Sequence, residues 1–343
     1  MAYTTINKST DYFNTKLYTG TGAGQSITGV GFQPDWSWIK IRNTSDSHVL
    51  VDAVRGATKF LQSNNSSAET TSSSFVQAFT SDGLTLGGNQ GTSSASNTYA
   101  SWNWKANGSG SANTDGSINS TVSVNTTAGF SIVKWTGTGA NATVGHGLGA
   151  VPKIIITKSI ASSNWGVYHE SLGNTDAVFL NETSATGSSS NYWNNTSPTS
   201  SVFYLGNGGT NGGSTNNTGG MIAYCFADKT GYSKFGSYVG NGNADGTFVY
   251  TGFKPAWVLA KNTTSGHNWW IADNKRDTFN VMAKLLRADT SGAETSGTVI
   301  DFLSNGFKLR ESGGDRNESG SEIIYMAFGQ SLVGSNNVPC TAR

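Results

Sequence analysis

Charge is scarce in this chain: Asp, Glu, Lys and Arg make up 13% of its 343 residues, against about 25% in an average globular protein. A solvated helical bundle or coiled coil needs many such residues, so an all-β reading leads. The net charge is +1 and no run of five or six like charges occurs, which removes the electrostatic footprint of a nucleic-acid binder. Cysteine is nearly absent. Cys225 and Cys340 form no C-x-x-C pair and cannot staple a multi-domain scaffold, so packing alone must hold the fold. No stretch approaches the roughly 18 apolar residues of a membrane span, and Met1 to Lys8 carries no apolar segment of a secretion signal. The expectation is a soluble protein made in the cytosol, with no membrane insertion.

What is abundant is turn-forming and aromatic. The chain holds 44 Gly, 10 Trp, 12 Tyr and 16 Phe, too many rings for a Gly/Ser-rich disordered linker. At roughly 150 residues per domain the length suggests two or three domains.

The few prolines expose a repeat. Leu17-Tyr18-Thr19-Gly20-Thr21-Gly22, Lys134-Trp135-Thr136-Gly137-Thr138-Gly139 and Ser237-Tyr238-Val239-Gly240-Asn241-Gly242 each lead an aromatic into a glycine turn. Pro34, Pro152 and Pro255 follow, and six residues after each proline comes a lysine, Lys40, Lys158 or Lys261. Bulky residues alternate between them: Trp36 and Trp38, Ile154 and Ile156, Trp257 and Leu259. Period-two placement marks a half-buried strand, opened by the proline where its missing N–H costs least. Short apolar strands are expected next at His48–Asp52, Trp165–His169 and Trp269–Asp273. Each copy then carries Leu86, Leu205 or Leu309 and closes on Tyr99–Trp104, Met221–Phe226 or Ile323–Phe328.

Pro34 and Pro152 lie 118 residues apart, and Pro152 and Pro255 lie 103 apart, so the period is domain-sized rather than the roughly 20 to 50 residues of a solenoid. The expected architecture is all-β: three tandem antiparallel β-sandwich, jelly-roll-like repeat domains over 1–108, 109–230 and 231–343, the last with a C-terminal tail. Ala106–Ser120 reads as the first linker and Asp228–Ser233 as a tighter junction. One short helix is expected at Thr278–Arg287, where Phe279, Met282, Leu285 and Leu286 fall at helical spacing.

Chemical motifs are few. His48, His146, His169 and His267 lack zinc-site spacing, and neither a G-x-S-x-G elbow nor a P-loop occurs. Cys225 alternates with Tyr224 and Phe226 like a small core residue. Gly145-His146-Gly147-Leu148-Gly149 reads as a turn. Asn241, Asn243 and Asp245 imitate half of a calcium loop, but its twelfth position is Gly252, which favours a hairpin. Asp52 and Asp273 are the acids best placed by repetition, yet His169 holds the matching place, so a strand-end hydrogen bond is the expected role. The recurring lysines read as edge protection or as stems laid over core rings. Trp36, Trp38, Trp102, Trp104, Trp135 and Trp257 alternate like core residues. Trp165, Trp193, Trp269 and Trp270 are less constrained and are the candidate ligand-binding residues, since flat rings suit sugars. No catalytic residue, metal site or cofactor is assigned, and the chain is not read as an enzyme.

The runs Asp11-Tyr12-Phe13-Asn14-Thr15-Lys16-Leu17-Tyr18-Thr19-Gly20, Gly29-Val30-Gly31-Phe32-Gln33-Pro34-Asp35, Val54-Arg55-Gly56-Ala57-Thr58-Lys59, Ala128-Gly129-Phe130-Ser131-Ile132-Val133-Lys134-Trp135-Thr136-Gly137 and Asn337-Val338-Pro339-Cys340-Thr341-Ala342-Arg343 resemble a family of virion structural proteins from marine tailed bacteriophages, whose members are often labelled tail fibre. The resemblance implies a particle protein with β-sandwich modules, assembled in the host cytoplasm, with other virion proteins as partners and a host surface glycan or protein as target. The leading role is a tail fibre or receptor-binding component; the alternative is a capsid-decorating or head-fibre protein, and a second alternative, from another class, is a polysaccharide-degrading tailspike. Phage fibres and decorations usually occupy three-fold sites, and sparsely charged sheet edges invite pairing with sister chains, so a homotrimer is expected.

Overall fold

The computed structural model describes residues 4–207 and 213–332. It is all-β, and the three repeats share one wiring. In each, an opening strand (Phe13–Thr19, Phe130–Gly137, Ser233–Val239) pairs with a closing strand (Thr98–Trp104, Gly219–Phe226, Glu322–Gly329). The closing strand also pairs with a central strand (Trp36–Ile41, Ile154–Ser159, Pro255–Asn262), so the central strand is reached by crossing over rather than by a hairpin. Beyond it lie Val49–Asp52, Trp165–His169 and Trp270–Asp273, then further strands, all antiparallel.

Register fixes equivalence without reference to sequence. Trp36 faces Trp104, Ile154 faces Phe226, and Trp257 faces Phe328. Two residues back from these, Pro34, Pro152 and Pro255 are equivalent as expected, with Pro255 itself the first residue of its strand.

Because strand side chains alternate, each large sheet has two apolar faces and needs two partners. One face lies under a small sheet of its own repeat, which in the third copy is continuous with the large sheet through Met282–Arg287 and Thr295–Leu303. Ile39, Val49 and Tyr99 pack on Ile27, Leu84 and Leu86 in the first copy; Val133, Ile155 and Met221 pack on Phe203 and Leu205 in the second; Val258, Trp270 and Ile323 pack on Val249, Phe307 and Leu309 in the third. These are the three sandwiches. The other face, carrying the Trp36/Ile154/Trp257 set, meets its two counterparts in one shared core. Trp36 stacks on Tyr224 at 4.3 Å between ring centroids, Trp104 meets Trp257 edge-on at 5.6 Å, and Phe226 meets Phe328 at 5.9 Å, one contact for each pair of repeats. The sandwiches are therefore not beads on a string but three sides of one pseudo-three-fold body.

Equivalent hydrogen bonds close the three seams in a ring. The Arg42 carbonyl of repeat 1 accepts from Glu294 N of repeat 3 at 2.7 Å, Ile160 of repeat 2 from Glu69 N of repeat 1 at 2.8 Å, and Thr263 of repeat 3 from Thr186 N of repeat 2 at 3.0 Å. The repeated glycine turn also has one physical cause. A Cβ on Gly20, Gly137 or Gly240 would lie 2.2, 2.0 or 2.2 Å from the carbonyl oxygen of Ser94, Asn217 or Glu318, just ahead of the closing strand, so only glycine lets the backbones approach.

Three expectations change. The Ala106–Ser120 stretch is no free linker: Ser111–Asn113 pairs with Ser120–Asn125 and covers the second sheet's edge. The buried Asp35 carboxylate takes N–H groups from Ala106 at 2.7 Å and Gly108 at 3.1 Å. The helix at Thr278–Arg287 is instead the strand Met282–Arg287. Its start is set by side chains that mimic a ladder, Asn280 exchanging two hydrogen bonds with the Phe302 backbone and Asp277 accepting from Ala283 N at 2.6 Å. Lastly, Lys40, Lys158 and Lys261 guard no edge. They lie fully buried in central strands, and each Nζ donates to two backbone carbonyls: Ile41 and Ser291, Ser159 and Ala161, Asn262 and Thr183. Loss of hydration lowers their pKa values to about 8, 7 and 8.

Candidate binding cleft

The four candidate tryptophans are buried. Trp165 and Trp269 are seam residues, and the register makes them equivalent to His48. Trp165 Nε1 donates to Gln62 O of repeat 1, Trp269 Nε1 to Phe179 O of repeat 2, and His48 Nε2 bonds Arg287 O of repeat 3, each at 2.9 Å. Trp193 donates to Asp176 O at 3.0 Å, and Trp270 packs inside the third sandwich. None presents a face on which a sugar ring could stack.

The acids reach a similar end. Asp52 and Asp273 are fully buried, each 2.5 Å from the Nε of the arginine three residues on, Arg55 or Arg276. A neighbouring repeat adds a donor to each: Tyr224 OH to Asp52 at 2.8 Å and Trp102 Nε1 to Asp273 at 3.0 Å. In repeat 2 the pair becomes His169 and Leu172, so acid and base disappear together and no charge is stranded. His48, His146 and His169 each accept a hydrogen bond at Nδ1 and face a carbonyl with Nε2. Burial lowers the pKa of all three, that of His48 to about 3 and of His169 to about 4, so they are neutral structural groups.

The remaining motifs are local structure. Cys225 is buried, which pushes its thiol pKa up, while Cys340 lies outside the described residues. Asn241 Oδ1 accepts from Asn243 N and Asn317 Nδ2, and Asp245 Oδ1 pairs with Lys308 at 2.7 Å, so the imitation calcium loop spends its oxygens on the turn. Among the described residues no group of three or more His, Cys, Asp or Glu could hold a metal ion, and no helix is long and apolar enough to cross a membrane.

Concavity lies elsewhere, at the seam of repeats 1 and 3. A cleft of about 1020 Å³ runs between the start of the strand Phe13–Thr19, with the Gly29–Gly31 turn, and the 274–282 segment of repeat 3. Repeat 1 can line it because its opening strand ends a sheet, whereas repeat 2's opening strand is covered by Ser120–Asn125. Repeat 3 contributes through extra chain. Leu50 to Leu61 and Val167 to Val178 span equal lengths between paired strands, but Ile271 to Leu286 is four residues longer. That excess holds Phe279, 75% exposed and the most exposed large apolar side chain among the described residues. Asp277 and Asn280 pin the loop on either side of it through the bonds given above.

The lining is mixed in charge, with Lys8, Lys254 and Lys275 against Asp11 and Asp277, and rich in amides, with Asn14, Asn274 and Gln330 among them. Asn14 Nδ2 donates to Val30 O at 2.8 Å, fixing its amide in place. Sequence reading missed this site because helical spacing put Phe279 on a buried face. The available signal was the surplus of loop residues in the third copy.

No curated protein and no solved structure matches the chain. A family model described as a domain of unknown function, DUF7483, matches residues 8–331, nearly the whole chain and all three repeats, and the chain belongs to that family.

Proposed function

We propose that the chain is a bacteriophage virion structural protein, a tail fibre or receptor-binding component that contacts the host surface. The observation that carries the reading is the single closed body. Three sandwiches share one core and are stitched at three equivalent seams, a build suited to a rigid particle component that presents loops. The resemblance of its long sequence runs to marine phage virion proteins supports the same reading, as does the use of the best-placed acids in buried ion pairs. Partners under this reading are other virion proteins and a host glycan or protein, and the trimer of chains belongs to the proposal.

A capsid-decorating or head-fibre role is the second reading, favoured by the pseudo-three-fold arrangement, which lets one chain match a three-fold site. A cryo-EM map of the intact virion tests both. Density for the chain on the tail supports the first, density on the capsid shifts the assignment to the second, and absence of the chain from the particle contradicts both.

A further inference from the structure

We infer that the cleft between repeats 1 and 3 is an oligosaccharide-binding site, with Phe279 as its stacking platform and the amides of Asn14, Asn274 and Gln330 as its hydrogen-bonding floor. This gives the attachment role a ligand class and rests on that reading for its biological meaning.

Repeats built to one plan differ by four residues at this loop, and the added chain places a phenyl ring in solvent. A core does not gain from such a ring. An exposed Phe lacks compensation from burial, and here neighbouring side-chain bonds from Asp277 and Asn280 hold its loop in place. A ring held at the lip of a concave site can offer its face without paying an ordering cost on binding.

The chemistry of the walls selects the ligand. Phe13, Val30, Met282 and Phe302 also line the cleft but are buried, so the wall offers no open pockets for a run of apolar peptide side chains. Three lysines against two aspartates make no basic track for a phosphate backbone. What stays is an array of amides and hydroxyls, groups that both donate and accept, beside one flat apolar face; Asn14 Nδ2 is held by Val30 O and Asn274 Nδ2 reaches Gln330 Oε1 at 3.5 Å, which orients the amides and leaves their second donor or acceptor positions for a ligand. A polyhydroxylated ring presents the matching pair: hydroxyls around its rim and a C–H face. The volume, about 1020 Å³, lies at the upper end of the roughly 300 to 1,000 Å³ of small-ligand sites, room for more than one ring.

The test is calorimetric titration of the purified full-length chain with dextran, alginate and chitohexaose, which sample neutral, uronic-acid and N-acetylated sugars. At least one should bind at millimolar concentration or below. Phe279→Ala should weaken it about tenfold without moving the thermal midpoint, because the ring is exposed. Phe248→Ala, which removes an exposed ring that does not line the cleft, should leave affinity unchanged. Binding of none of the three probes, full affinity in Phe279→Ala, or an equal loss in Phe248→Ala overturns the site. Particle location is untouched by any of these results, so this inference and the virion reading fail separately.

Discussion

Trp257 is the residue through which repeat 3 leans on repeat 1. It is fully buried, with ring centroids 5.6 Å from Trp104, 6.3 Å from Trp102 and 6.0 Å from Phe13. Truncation to alanine removes those contacts and leaves a cavity that a close-packed core fills only in part, for which Trp→Ala changes cost about 3 to 5 kcal/mol. One term opposes the loss. Trp257 Nε1 is buried without a hydrogen-bond partner, and such an orphan donor costs about 1 to 3 kcal/mol, so the expected value is near the lower end, about 3 kcal/mol. Trp257→Phe keeps much of the apolar area and discards the orphan N–H, so it should cost clearly less, below about 2 kcal/mol. Urea unfolding followed by far-UV circular dichroism measures both. Because the contacts cross between repeats, the loss should move the transition of the whole chain. An unchanged midpoint, or a shift confined to a fraction of the signal, would refute the packing argument.

Gly137→Ala places a Cβ about 2.0 Å from Asn217 O and should lower the thermal midpoint sharply, whereas Gly149→Ala, with no atom near its added Cβ, should show only the smaller strain of a positive φ. Asp273→Ala removes one of the two carboxylates on the fully buried Arg276 guanidinium and leaves the other, Glu294, at 3.0 Å, so it should cost less in urea unfolding than the about 3 to 5 kcal/mol of a stranded charge; a loss under about 1 kcal/mol contradicts the ion-pair assignment. Between about pH 7 and 9 stability should rise. Lys40, Lys158 and Lys261 titrate near 8, 7 and 8 when folded but near 10.5 when free, so the unfolded chain holds more protons there and a rise in pH favours the fold. Lys158→Met should make that slope shallower, and a midpoint flat or falling over the same range in the parent chain would count against the buried lysines.

Strand placement was legible because one template recurs three times. The alternation of Trp36 with Trp38 and of Trp257 with Leu259 gave the buried face, and the glycine turns gave the strand ends. The shared core was not legible, since alternation says which residues are buried and not against what: Tyr224 reads the same whether it meets its own repeat or Trp36 of another. Trp165 and Trp269 misled for a related reason. An indole donating to a neighbouring repeat's carbonyl and an indole waiting for a sugar occupy the same kind of position in a sequence. The lysines read as edge residues because six residues past a proline is where a strand ends. The structure shows that end met by a neighbouring repeat's loop, which only tertiary packing supplies. Phe279 to Leu286 matched a helix by spacing alone, and sheet pairing on both sides overrode that pattern.

Three repeats with one core should fold as one unit, and differential scanning calorimetry measures whether they do. At roughly 0.7 kcal/mol per residue near 60 °C, the chain unfolding as a single body should give a van't Hoff enthalpy of about 240 kcal/mol, equal to the calorimetric value, in one transition. A van't Hoff enthalpy near 80 kcal/mol, about that of one repeat, or three separable transitions would show independent sandwiches and rule out a single folding unit.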